Sequence, residues 1–201
     1  MAANGGRHRL GPDDGRLVLR TYRTGLAAQA GHDLTLEITR WSGELDTGDD
    51  GSPVRLEVRA DMGSLTVREG TGGVRPLSDR DRREIAATAR KELGTDRNPE
   101  ATFVAEKFEP DSAGGGAIDG TLTLRGQARP FRLQVGKAAD GRYRATASVV
   151  QTEFGIKPYS GMFGALKLRD AVDVEAEVSL PAAPGSEDSG TPGPRVPGSR
   201  P

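Results

Sequence analysis

Between residues 16 and 180 apolar side chains return at every second position, again and again. No other feature limits the folds open to this chain as strongly. Leu17, Leu19 and Thr21 alternate with Val18, Arg20 and Tyr22, and Leu34, Leu36 and Ile38 with Thr35, Glu37 and Thr39. Val54, Leu56, Val58 and Ala60 repeat the pattern, as do Ile118, Leu122 and Leu124, then Phe131, Leu133 and Val135. Tyr143, Ala145, Ala147 and Val149 follow, and Val172, Val174, Ala176 and Val178 close the series. A period of two is that of a strand with one buried and one wetted face. The segment ATFVAEKF, 101–108, is a further strand with less clean sidedness. Between the runs lie DTGDDGSP, REGTGGVRP, EPDSAGGG and KAADG, all turn chemistry. The 28 Gly and 13 Pro make up a fifth of the 201 residues, against roughly 12% on average, so turns are frequent.

Strands wetted on one side form antiparallel sheets, and about eight of them must hide their edges. Closure into an antiparallel β-barrel does this most completely, with a two-sheet sandwich as the competitor. One segment departs from the rhythm. Ser78 is an N-cap with Asp81 three residues on, Ile85, Ala89 and Leu93 recur every fourth residue, and Gly94 ends the run. A second, shorter helical piece is expected at Leu26–Ala30, closed by Gly31. The expected fold is therefore all-β, a barrel of about eight strands with one or two short helices covering an end.

The domain is expected over 16–180, with 1–15 as a flexible arm and 181–201, rich in Pro, Gly and Ser, as a disordered tail. Lys and Arg number 28 against 29 Asp and Glu, so a net charge of -1 offers no field for nucleic acid. The chain has no Cys, which excludes disulfides, thiolate metal sites and Cys nucleophiles. With His8 and His32 alone, a multi-His metal site within one chain is excluded too. The opening MAANGGRHRLGPDDGR lacks the apolar core of a secretory signal, and no stretch nears the roughly 18 apolar residues of a membrane-spanning helix. The expected compartment is the cytoplasm.

Five motifs fall in a telling order: Trp41-Ser42-Gly43, Met62-Gly63-Ser64-Leu65, Asn98-Pro99-Glu100-Ala101-Thr102-Phe103, Asp119 to Gly126, and Phe154-Gly155-Ile156. With the helix between the second and third, they resemble the YceI-like family over about 16–180. The segment GTLTLRGQARPFRLQV resembles that family's strand-turn-strand signature. The resemblance implies a lipocalin-like barrel holding a polyisoprenoid or related long-chain lipid in an internal cavity. The charged helix DRDRREIAATARKEL differs in having an outward face that must be solvated.

Few residues suggest catalysis. His32 and Asp33 are neighbours on a strand, so their side chains point to opposite faces and do not pair. His32 shares the parity of Leu34, Leu36 and Ile38, which leaves it a structural histidine or a head-group contact near a barrel mouth. No G-x-S-x-G elbow supports an esterase, and Gly70-Thr71-Gly72-Gly73 lacks the G-K-[ST] ending of a phosphate loop. Trp41 reads as a core anchor or a cavity wall. Arg125 and Arg129 flank a turn and join His32 as head-group candidates. The stretch 154–164 gathers two Phe, one Tyr and one Met with three Gly, and reads either as a plug or as a gating lid whose Met162 and Phe163 line the entrance.

The expected ligand-binding set is His32, Leu34, Leu36, Ile38, Trp41, Leu56, Val58, Phe103, Leu122, Leu124, Phe131, Phe154, Ile156, Tyr159, Met162 and Phe163. No catalytic residue, metal or cofactor is expected. The partner is a long-chain apolar lipid, carried without chemistry. The competing reading is a barrel filled by its own side chains, serving as a protein-interaction or stress-related module. A homodimer is left open.

Overall fold

The computed structural model describes residues 6–180; the stretches 1–5 and 181–201, and with them the expected tail, lie outside the described residues. Alternation resolves into β1 Arg7–Leu10, β2 Gly15–Thr21, β3 Arg23–Thr24, β4 Asp33–Ile38, β5 Trp41–Thr47, β6 Pro53–Asp61 and β7 Leu65–Thr71. After the helix α1 Asp79–Leu93 come β8 Glu100–Pro110, β9 Gly116–Leu124, β10 Gln127–Lys137, β11 Tyr143–Val150, β12 Ser160–Gly161, β13 Leu166–Leu168 and β14 Ala171–Val178. Eleven strands form one curled antiparallel sheet in the order β1-β5-β6-β8-β9-β10-β11-β14-β2-β4-β7, and β12-β13-β3 form a small second sheet. The antiparallel barrel-like fold stands, with more strands than the eight expected.

Part of the surplus comes from the N-terminal stretch. Arg7–Leu10, assigned to a flexible arm by its glycine-rich surroundings, instead forms β1 and pairs with β5 from Arg7–Asp46 to Leu10–Gly43. Arg7 donates to Asp46 at 2.6 Å, and Leu10 rests where Gly43 has no side chain. The untidy strand 101–108 also has a physical cause. Ala101, Phe103 and Ala105 are buried, and a bulge between Ala105 and Lys107 then moves the inward position to Phe108, opposite Ile118. One extra residue flips the parity of everything after it.

The outer face carries the charge. Arg55, Glu57, Arg59 and Glu100 form one chain of ion pairs, and Lys107, Glu109, Asp119 and Arg132 another. Exposed pairs of this kind stabilise little, but opposite charges on neighbouring strands favour the native register.

Ser78 caps α1 as expected. Its hydroxyl accepts from the Asp81 N–H at 3.2 Å, and the Asp81 carboxylate accepts from the Ser78 N–H at 2.9 Å. Gly94 terminates the helix in the left-handed region, at φ 65°. The short piece at Leu26–Ala30 is a single 3-10 turn, Ala28–Ala30. The helix lies along β7, an edge of the large sheet. Arg82 and Arg90 donate to the carbonyls of Arg68 and Leu65 at 2.5 and 3.1 Å, so helix side chains satisfy part of the exposed edge.

Two expected outcomes follow from this cap. Ser78→Ala should cost about 1 kcal/mol in urea unfolding. The guanidinium of Arg75 and the hydroxyl and N–H of Ser78 hold the Asp81 carboxyl far below the usual carboxylate range. A depressed folded-state pKa gives stability that is complete above that range and is lost as pH falls below it. Asp81→Asn should therefore show a shallower acid dependence of Tm below about pH 4 than the parent.

Candidate functional site

The curled sheet does not fill its interior. Its inward residues enclose a cavity of ≈ 570 Å³, within the roughly 300–1,000 Å³ typical of small-molecule sites. The walls are mostly aliphatic: Leu17 and Leu19 from β2, Leu34, Leu36 and Ile38 from β4, Val58 and Ala60 from β6, Leu122 and Leu124 from β9, Val172 and Val174 from β14. Phe103 and Phe131 meet edge to face, with centroids 6.0 Å apart and rings at 76°, and together form an aromatic wall. Ala101, Ala145 and Ala176 take inward positions where larger side chains would close the space.

Of the expected ligand-binding set, His32, Leu34, Leu36, Ile38, Val58, Phe103, Leu122, Leu124, Phe131, Ile156 and Tyr159 border this one cavity. Five do not. Leu56 lies two positions beyond Val58, opposite Leu45 and Ala105. Trp41 packs against the buried cluster. Phe154, only 2% exposed, is core. Met162 and Phe163 are exposed, so neither lines the cavity nor plugs it. Arg125 and Arg129 also lie off the cavity, and Arg125 donates instead to the Gly155 carbonyl.

A scan against family models matches residues 19–180 to the YceI-like domain, most of the chain. The protein belongs to the YceI-like family. Among solved structures, BcnA of Burkholderia cenocepacia is similar at 14% identity, covering 82% of this chain and 94% of its own, with a TM-score of 0.60. A Campylobacter jejuni YCEI protein is similar at 16% identity over 71% of this chain and 83% of its own, with a TM-score of 0.47. At such identities the BcnA likeness speaks to fold. No curated protein sequence matches.

Several features of this YceI-like cavity escaped the sequence. The apolar face of α1 is a cavity wall: Ile85, Ala89 and Leu93 line it, with Glu84, Thr88 and Glu92 bordering them. The every-fourth-residue signal was present, but it says which face is buried and not what that face meets. Leu166 and Leu168 of β13 also line the cavity, and Leu166 packs where Gly31 leaves room.

Polar groups in the lining are few. The His32 ring donates from Nε2 to the Arg75 carbonyl at 2.8 Å. Thr21 is 7% exposed, borders the cavity, and its hydroxyl has no hydrogen-bond partner. It faces Leu34 across the β2–β4 pairing, two residues from His32. A buried hydroxyl without a partner costs about 1–3 kcal/mol. The isosteric Thr21→Val should therefore raise stability in urea by about 1 kcal/mol in the ligand-free protein. Among the described residues no group of three His, Cys, Asp or Glu could hold a metal ion, and no helix is long and apolar enough to cross a membrane.

The loop from Gly155 to Ala165 shows backbone that its residue types do not foretell. Met162 and Phe163 adopt φ of 50° and 54°. The left-handed region is uncommon for side chains other than Gly, Asn and Asp, and holding a bulky residue there costs on the order of 1 kcal/mol or more.

Proposed function

We propose that this YceI-like protein is a non-enzymatic carrier for a long-chain apolar lipid of polyisoprenoid type, held inside the curled sheet. The observation that carries this reading is the cavity: ≈ 570 Å³ of aliphatic and aromatic lining with a sparse polar rim. If each methylene-sized group takes about 30 Å³, close to the share of a liquid water, that space holds on the order of twenty groups. At roughly 0.3 kcal/mol per heavy atom such a chain binds with about 6 kcal/mol, or tens of micromolar. That is ample for a carrier, and tighter binding needs a head-group contact. His32 takes that role in our reading, because it borders the cavity and Arg125 and Arg129 do not. Nothing in the lining resembles a nucleophile paired with a base, so we assign no reaction.

The competing idea of a barrel filled by its own side chains requires the aromatics to occupy the interior. Phe103 and Phe131 stand at the wall, Phe154 is packed in the core beside the cavity, and Phe163 is outside. The test is displacement of an apolar fluorescent probe from delipidated protein by geranylgeraniol. We expect saturable, one-to-one displacement in the micromolar range. Failure of both probe and alcohol to bind would reject the carrier.

A further inference from the structure

The small sheet β12-β13-β3 has two sides with different tasks. Its inner side gives Leu166 and Leu168 to the cavity wall. Its far end, where β12 turns into β13, projects three apolar side chains into solvent. Leu26 is 100% exposed, Phe163 is 112% exposed, and Met162 is 57% exposed. They share that end because the Ala27 N–H donates to the Ala165 carbonyl at 2.9 Å, tying residues 25–27 to the 162–165 turn. Isolated exposed apolar residues are normal, but three together beside a cavity rim are not. The backbone at Met162 and Phe163 holds its unfavourable conformation with the side chains turned outward rather than inward.

The two segments that build this end are themselves cationic. These segments, 22–32 and 154–169, contain Arg23, Lys157, Lys167 and Arg169 and no Asp or Glu, in a chain whose net charge is -1. Arg23 is engaged with Asp33 and Arg169 lies over the Tyr22 ring, 5.5 Å from its centroid, whereas Lys157 and Lys167 form no ion pair among the described residues. Two carboxylates, Glu153 and Asp170, directly flank the second segment, and Asp170 accepts from the N–H and hydroxyl of Thr152. Lys167 stands beside Gly164 in the turn itself. Glu84 and Glu92 border the cavity from α1, which leaves the cations gathered on the small-sheet side.

We infer that Leu26, Met162 and Phe163 form a docking tip that inserts into an anionic lipid bilayer, with Lys157 and Lys167 contacting the headgroups. An apolar prong with lysines beside it matches the layered chemistry of such a surface: apolar beneath, anionic above. Docking at this end brings the cavity rim, through Tyr159 and Leu166 of the same structural unit, close to the lipids. The purpose of docking, loading and delivery of the ligand, rests on the carrier reading; the docking itself is measured without cargo.

The full chain is sedimented with vesicles of phosphatidylcholine alone and with vesicles of phosphatidylcholine and phosphatidylglycerol in equal parts. Binding is expected to the anionic vesicles and to weaken as salt is added. Leu26→Ser and Phe163→Asn should each weaken it roughly tenfold, and Lys167→Ala about fivefold. None of these exposed substitutions should lower Tm appreciably. Vesicle binding that fails in the parent at low salt, or that survives the Leu26→Ser/Phe163→Asn double variant, overturns the proposal. So does self-association that disappears in the double variant while vesicles stay unbound, since a second copy then covers the tip. Probe uptake in solution separates the two readings. A protein that fills its cavity but ignores vesicles overturns the docking and keeps the carrier. One that binds vesicles but takes up no probe keeps the docking and overturns the carrier.

Discussion

Leu36→Asp should abolish folding and ligand uptake together. Leu36 is 5% exposed, faces Leu19 on one side and Val67 on the other, and lines the cavity. No cation borders it in the β2–β4–β7 registers that would pair with a carboxylate. An unpaired buried carboxylate must either remain charged at a cost of several kcal/mol or bind a proton at similar expense. The whole domain has a stability of about 5–15 kcal/mol to lose. Circular dichroism and expression in the soluble fraction read the outcome. A stable, soluble Leu36→Asp protein would mean that this face meets water and that the inside of the sheet is its other side.

Ala145→Trp should separate what Leu36→Asp destroys together. Ala145 sits between Val135 and Ala176 in the sheet and borders the cavity. An indole there projects into open volume, so it should displace ligand and cut uptake by more than tenfold, about 1.4 kcal/mol or more. Stability should hold or rise slightly, because added apolar contacts replace empty space. In a filled interior the same substitution overpacks and costs about 1–3 kcal/mol. Probe titration beside a urea melt distinguishes the two: lost uptake with retained stability marks a real cavity, and lost stability marks a packed core.

Legibility in the sequence followed physical periodicity. In β4 the two-residue repeat buries one side cleanly, and the alternation also indicated the cavity-lining residues Leu17 and Leu19 of β2, Val58 and Ala60 of β6, Leu122 and Leu124 of β9 and Val172, Val174 and Ala176 of β14. The capping box at Ser78 and Asp81 and the left-handed Gly94 set both ends of α1, since caps are local chemistry. What lay beyond reach was anything set by partners distant in sequence. β1 is four residues of mixed polarity that become a strand only because Gly43 and Asp46 receive them. The bulge after Ala105 is invisible to a fixed parity. The inner face of α1 was recognised as apolar, yet only the curled sheet makes it a wall. The loop 154–164 has no period, so nothing local told Phe154, in the core, from Phe163, in solvent. Thr21 stood in plain alternation with Leu17 and Leu19, and its significance came from the missing hydrogen bond.

The central claim, a cavity that holds an apolar chain, is tested most directly by native mass spectrometry of the full chain purified without detergent. The expected result is a population carrying one bound molecule, extractable into organic solvent, restored by incubation with geranylgeraniol and absent from Ala145→Trp. A spectrum showing the chain's own mass alone, unchanged after that incubation, would contradict the claim.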